Sequence, residues 1–307
     1  RLRTVTGVQT CALPISINSR EIFGNKENGV GEIIMKKNFY STLITVVLFC
    51  IECSSFAFPQ SQYARVENPS MENFQFSAQD NGALSIISNP ATLGIGHASD
   101  LWYTTTIERH HFLEHNFFVQ TPFLFSSFGG SYRKIYDDNA SSSADVYGFG
   151  FGIGFTSLAI GYAANFLVSD NEETTLSDIG ILYRPIKNFS LSYVVRNINA
   201  PSISSFSFLR EQVVGLSIHP NRIEKVVLFV EARSTSGFSE DMNLLVGTEI
   251  QLKPGLSLRS SYIDNKDLLV SKFNIGFRLN FSQMGFDEVT SLGDNVYPGT
   301  SLGIHFT

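Results

Sequence analysis

His110, His111 and His115, with Glu108 and Glu114, form the densest group of potential metal ligands in the chain. Imidazole and carboxylate are both zinc ligand types, so the cluster is chemically competent for a facultative metal site. On an extended backbone, successive side chains point to opposite faces, which sends His111 and His115 to one side and His110 to the other. A polar extracellular turn explains the same residues, and it is the reading adopted here, with no metal assigned. Elsewhere no serine has a nucleophile-elbow context, and no glycine loop is built to cradle phosphate. The expectation is therefore a chain that is not an enzyme and carries no cofactor.

A second group of charges is more dispersed: Arg133, Arg196, Glu231, Arg233, Glu249, Arg259, Lys272 and Arg278. They sit among Gly, Ser and Asn in segments whose apolar residues recur with period 2, the strand period. In the run 158–168, Leu158, Ile160, Tyr162, Ala164, Phe166 and Val168 share one face, with Ala159, Gly161, Ala163 and Asn165 on the other. In 272–281, Phe273, Ile275, Phe277, Leu279 and Phe281 oppose Lys272, Asn274, Gly276, Arg278 and Asn280. The run 147–155 alternates bulky apolar residues with glycine at every step, which fits a strand whose inner face stays open. The same alternation holds in 189–195, 226–233, 243–252 and 256–262.

Two architectures produce such alternation, a soluble antiparallel sandwich and a transmembrane barrel with an apolar exterior. The connections favour the barrel. Short turns at 120–122, 156–157, 185–188, 219–224, 253–255 and 282–285 alternate nearly throughout with longer ones at 137–145, 169–178, 197–210, 234–241 and 292–299, the turn at 264–268 being intermediate. Periplasmic and extracellular turns of a barrel differ in this way, and the runs match tilted membrane strands of about 9 to 11 residues. The predicted fold is all-β, a transmembrane antiparallel barrel of about 14 strands, an even number that returns both termini to the periplasm. Charges on its lipid face would cost about 2–4 kcal/mol at mid-bilayer for Arg or Lys, so the eight named residues are expected to line the lumen. There they would form either an interior ion-pair network or a polar permeation path. Trp102, Tyr103, Tyr262 and Tyr297 lie near strand ends and suit an interfacial aromatic girdle.

The chain divides before the barrel begins. Val5 to Ile15 (VTGVQTCALPI) reads as the conceptual translation of a sequencing-library adapter, and residues 1–34 are set aside as an upstream artefact. Residues 35–57 read as an export signal: Lys36 and Lys37, an apolar run from Phe39 to Ile51, then Ser55 and Ala57 as the small residues before cleavage. Over all 307 residues the net charge is -6 with three cysteines. Beyond Ala57 there remain 16 basic and 24 acidic residues, a net charge of -8, and no cysteine. An acidic chain without a clustered basic face is not expected to bind nucleic acid. Without cysteine, an exported barrel depends on burial and backbone hydrogen bonds rather than disulfides.

Residues 58–100 precede the first strand, and within them Gly82 to Leu93 (GALSIISNPATL) carries Asn89-Pro90-Ala91-Thr92-Leu93. This resembles the Asn-Pro-Ala-x-Leu signature of the FadL-type outer-membrane barrel superfamily, and most closely its PorV/PorQ-like branch. The resemblance covers the chain from residue 58 on and implies a 14-stranded barrel, residues 101–307, with 58–100 tucked into the lumen as a hatch. Asn89-Pro90 is a chain-turning pair, and Ala83, Leu84, Ile86 and Ile87 offer an apolar patch that could pack inside the wall. A plugging role is favoured over direct ligand contact. The last strand, Ser301 to Thr307, resembles the segment that such barrels present to the barrel assembly machinery. Gly303 and Phe306 stand at the matching positions, although Phe306 is penultimate rather than terminal.

The resemblance implies the outer membrane of a Gram-negative-type bacterium, with outer-membrane lipid as one partner. It also implies one of two functions. FadL-type members point to passive transport or binding of small hydrophobic compounds, and this reading leads. PorV/PorQ-type members point to a barrel scaffold that assists type IX secretion or surface attachment. In that case the partners would be secreted proteins, met by loop 197–210 with Phe206 and Phe208 exposed.

Overall fold

The computed structural model describes residues 75–307, leaving out 80–81, 97, 109–110, 137–142, 170–171, 204–205, 221–224, 236–241, 266–269 and 294–295. The adapter-like segment, the export signal and the first part of the expected hatch lie outside the described residues. The strands are β1 (Asp100–Glu108), β2 (His111–Phe123), β3 (Ser126–Tyr136), β4 (Ser143–Gly154), β5 (Leu158–Ser169), β6 (Glu172–Ile186), β7 (Phe189–Arg196), β8 (Ser202–Ile203), β9 (Phe206–Ser207), β10 (Glu211–Ile218), β11 (Val226–Ser234), β12 (Asn243–Lys253), β13 (Leu256–Asn265), β14 (Val270–Phe281), β15 (Met284–Gly293) and β16 (Val296–Phe306).

All but β8 and β9 form a closed antiparallel barrel, each strand paired with its sequence neighbours and β16 returning to β1. Its 14 strands agree with the periodicity. Closure pairs Leu101 with Phe306 and Glu108 with Gly299, so no sheet edge is left open. β8 and β9 are a separate two-stranded hairpin inside the connection from β7 to β10.

The period-2 pattern becomes two surfaces. Along β5 every even position from Leu158 to Phe166 except Ala164 is exposed, as are Phe149 on β4 and Phe273 and Ile275 on β14. The odd positions Ala159, Ala163, Asn165 and Leu167 are buried. The exposed set is an apolar band of the kind that faces hydrocarbon, while the buried set faces the lumen.

Several boundaries differ from expectation. The turn expected at 120–122 lies at Leu124 and Phe125, because β2 continues through Pro122, which sits opposite Ser127 near the strand's end. Leu124 makes the turn with φ 54°, a conformation costly for a side chain with a Cβ. The loop expected at 169–178 is mostly strand: β6 starts at Glu172 and pairs with β5 from Ser169 onward. Its polar run EETTLSD reads as a loop by composition, yet a barrel strand can carry polar residues once it rises above the hydrocarbon.

Candidate functional site: the lumen and its hatch

The described part of the hatch is short and almost wholly buried. A 3-10 turn (Gly82–Leu84) leads into one helical turn, α1 (Ser85–Ser88), and then a 3-10 helix, Pro90–Ile95. Asn89 ends the first and caps the second. Its Oδ1 accepts from Ala91 N at 3.0 Å, while Pro90 opens the new turn, where its missing N–H leaves no donor unsatisfied. Its Nδ2 donates to Ser77 O at 2.8 Å and reaches Ile181 O of β6 at 3.5 Å. One side chain thus closes the local turn and ties it to the wall.

Asn89, Pro90, Ala91 and Leu93 face strands β3 to β6, where the inner wall is stripped of side chains. Gly152, Gly161 and Gly180 are successive cross-strand partners on β4, β5 and β6, and Gly129 pairs with Gly150 beside them. A Cβ on Gly152 would lie 2.5 Å from Gly94 N. On Gly161 it would strike the backbone of Pro90, and on Gly180 the side chain of Asn89. The alternating glycines were expected to leave the inner face open. Instead they let a second backbone lie directly against the wall. Next to this contact, Ala83, Leu84, Ile86 and Ile87 pack with Trp102, Phe118 and Ala163, and Ala91 packs with Ala159 and Leu182. Leu84, Ile86 and Leu93 are essentially inaccessible, and each such burial contributes about 1.5–3 kcal/mol.

The opposite wall holds the hatch with polar side chains. Glu231 accepts from Ser77 N at 2.7 Å and is paired with Arg233, whose Nε lies 2.7 Å from its other oxygen. Arg196 donates to Ser88 O at 3.1 Å and to Glu211 at 3.1 Å. Arg259 reaches Gln79 Oε1 at 3.4 Å, and Gln79 Nε2 reaches Glu249 at 3.4 Å. Arg259 is also paired with Glu249 at 3.2 Å, and Arg278 with Asp287 at 2.8 Å. Phe76 stacks on Phe229 with centroids 4.5 Å apart, backed by Leu245.

Six of the eight charges singled out in the sequence are therefore drawn into ion pairs: Arg196, Glu231, Arg233, Glu249, Arg259 and Arg278. Arg133 is buried on β3, and Lys272 shares the face of β14 that carries Asn274 and Arg278. Of the histidine cluster, only His115 and Glu114 are described with their side chains. His115 meets Tyr103 Oη at 2.9 Å, while neighbouring Glu114 accepts from Asn116 at 3.3 Å. His110 and the side chains of Glu108 and His111 lie outside the described residues, and among the described residues no three metal-binding side chains come together. Gly303 sits on the inner side of β16 opposite Asp287, and Phe306 is half exposed.

Two aromatic assignments change, those of Trp102 and Phe208. Trp102 is buried rather than interfacial: it stacks on His305 at 4.3 Å, lies under Arg278 at 5.5 Å, and donates to Asp100 at 2.6 Å. Asp100 also accepts from Ala83 N at 2.9 Å, so it fastens the hatch entrance. Phe208 was expected to be exposed on the loop; it is buried among Ala144, Val146, Leu167 and Leu176. The loop folds inward because Asn197 bonds to Asp178 and Leu209, and Phe208 N to Pro201 O. Tyr262 is 47% exposed and fits the girdle; the side chains of Tyr297 and Phe206 lie outside the described residues. Asp100, Gln79 and Asp287 were missed. Strand parity places Asp287 inward with Gly285 and Val289, but it says nothing of which cation it meets.

No known family's sequence profile matches the chain, and no curated protein matches it in sequence. Solved structures do match it in fold. The CymD monoaromatic hydrocarbon channel aligns with TM-score 0.57 and 10% identity over 75% of this chain and 94% of its own. The Ralstonia pickettii toluene transporter TbuX gives 0.54 at 9% identity over 78% and 96%. The P. putida toluene transporter TodX gives 0.51 at 11% over 73% and 93%. At such identities the likeness is one of fold alone. The chain has the fold of a closed 14-stranded outer-membrane barrel, with the described residues between 75 and 96 packed in the lumen.

Proposed function

We propose that this protein is an outer-membrane channel for small hydrophobic compounds, gated by the hatch. The observation that carries this reading is the hatch's two unlike attachments. One is a smooth glycine and apolar wall, across which a segment can slide; the other is a set of discrete polar fastenings that can be exchanged. Six of the eight named inner charges are drawn into ion pairs, which leaves an apolar solute little competition from bound ions. The architecture shared with hydrocarbon channels supports the same reading.

A scaffold of PorV/PorQ type, assisting secretion or surface attachment, is the second reading, and the filled lumen favours it. A reversible lock separates the two. A Cβ on Gly129 would lie 3.6 Å from Ile86 Cβ, inside the range a disulfide spans. The chain beyond Cys53 has no other cysteine to interfere. Ile86→Cys with Gly129→Cys, refolded into liposomes, is expected to take up labelled aromatic hydrocarbon when reduced and to lose at least about tenfold of that rate when oxidised. Absence of uptake by the reduced and unmodified proteins would exclude the channel and leave the scaffold. Equal uptake in both redox states would keep the channel and exclude the hatch as its gate.

A further inference from the structure

The short-turn end of the barrel has a rim of two unlike arcs, neither of which the hatch or the lumen uses. One arc spans the turns between β2 and β3 and between β4 and β5. Leu124 and Phe125 form the tip of the first, 83% and 79% exposed, with Phe123 beside them and Phe155 at the second. Gly154 N donates to Phe125 O at 3.1 Å, so the two turns touch. Leu124 has φ 54°, a conformation that suits Gly or Asn, at a tip where water would favour a polar side chain. Leucine there suits hydrocarbon instead. The patch also runs without a break into the outward band: Phe123 tilts on Phe128, and Phe128 on Phe149, each pair with centroids 6.2 Å apart.

The other arc is basic. Lys187, Lys225 and Lys253 stand at the next three hairpins round the barrel, those of β6 and β7, β10 and β11, and β12 and β13, and all three are exposed. The hairpins are joined backbone to backbone, His219 N donating to Asn188 O at 2.9 Å and Gln251 N to Lys225 O at 2.7 Å. Among the described residues no ion pair holds any of the three lysines, and these turns contain no Asp or Glu. Arg222 and Glu224 lie outside the described residues. Ile186 and Leu252, each next to a lysine in the chain, are exposed as well. Such a pair leaves an apolar side chain for the acyl region and an ammonium that reaches past it to the headgroups. The opposite end of the barrel has the opposite sign: the connections 137–145, 169–178, 234–241 and 292–299 contain Asp and Glu but no Lys or Arg.

We propose that the lysine arc binds anionic phospholipid headgroups in the leaflet on the short-turn side, with the apolar arc seated in the same leaflet. A phosphodiester with net charge meets three ammonium groups that have no carboxylate of their own, whereas a zwitterionic headgroup brings a competing cation. The acidic connections repel the same lipids at the other end, so the charge pattern also distinguishes the two leaflets. An acidic protein would meet the lysines, but it would leave the apolar residue beside Lys187 and Lys253, and the continuity of the rim with the outward band, without a role. Such binding is independent of any passage through the lumen.

The test is native mass spectrometry of the refolded full barrel, titrated in detergent with phosphatidylglycerol and with phosphatidylcholine of the same acyl chains. Phosphatidylglycerol is expected to bind at least about tenfold more tightly, since one lysine near an anionic surface contributes about fivefold. Replacing Lys187, Lys225 and Lys253 together by Gln is expected to weaken phosphatidylglycerol at least about fivefold and to change phosphatidylcholine by less than about twofold. Replacing the same three by Arg keeps the charge and should hold both affinities within about twofold. Lys134→Gln, at the long-loop end, should move neither. If the triple Gln variant fails to fold, the three single Gln variants carry the comparison, each with a loss of about twofold or more. Equal affinity for the two lipids, indifference to the Gln variants, or an equal loss from Lys134→Gln overturns the proposal. Displacement of phosphatidylglycerol by inorganic phosphate at the same concentration overturns the lipid as the occupant.

Discussion

The two walls that hold the hatch do so by different physics. On β4 and β5 the contact is backbone against backbone over Gly152 and Gly161, and on β6 Gly180 makes room for the Asn89 side chain, so apart from the Asn89 bond to Ile181 O its strength is dispersion and exclusion of water, and its specificity is steric. From β7 round to β13 the contact is made by side chains that cross the lumen: Arg196, Glu231, Glu249 and Arg259, each also paired with a charge on its own side. The first wall tolerates sliding but no added atom. The second tolerates a change of shape but not the loss of one partner. A segment held in both ways is placed accurately by the ionic side and kept close by the smooth side.

The comparison can be broken from either wall. The largest effect is expected for Glu231→Ala, which strands Arg233 and removes the acceptor of Ser77 N; breaking one member of a buried pair costs about 3–5 kcal/mol. Urea unfolding of the refolded barrel in detergent measures it, and a loss below about 1 kcal/mol would mean that this wall is wet and weak. Next comes Gly161→Val, where the new side chain meets the backbone of Pro90 and Ala91. Overpacking against an immovable neighbour costs about 1–3 kcal/mol or expels the hatch. Expulsion would be read as new protease cleavage within residues 75–96, and an unchanged cleavage pattern would show that the wall yields instead. The smallest is Arg196→Lys, which keeps the charge facing Glu211 but loses the forked geometry that also reaches Ser88 O. About 1 kcal/mol is expected, with the barrel intact by heat-modified gel mobility. A loss as large as that of Glu231→Ala would merge the two kinds of fastening into one network.

Much of the barrel was legible because strand alternation is a local property. Phe273, Ile275 and Phe281 could be assigned outward from ten consecutive residues, and they are exposed. Turn positions were less legible. Pro122 reads as a turn signal, but near the end of a barrel strand it needs no more than a place in the pairing, while Leu124 turns the chain without any turn residue. Trp102 was misplaced for a related reason: nearness to a strand end suggested an interface, whereas parity with Asp100 and Thr104 puts it inside. Phe208 could not be placed at all from its neighbours, because its burial depends on a loop folding onto strands that lie far from it in the chain.

Alternation of apolar and small or polar residues by itself determined the strands and the face that each charge must take, since a period of 2 is set by the backbone and needs no partner, and the alternation of short and long turns then chose a barrel over a sandwich. The motif around Asn89 by itself marked a segment that could turn and pack before the first strand. Only the tertiary structure decided what each inward group meets. Ser77 and Glu231, 154 residues apart, become partners solely because the sheet closes. The glycine column is the plainest case. Its spacing announced an inner face without side chains, but whether that face would stay open or receive another backbone depended on closure, which fixes how far the opposite wall and its charges stand from the hatch.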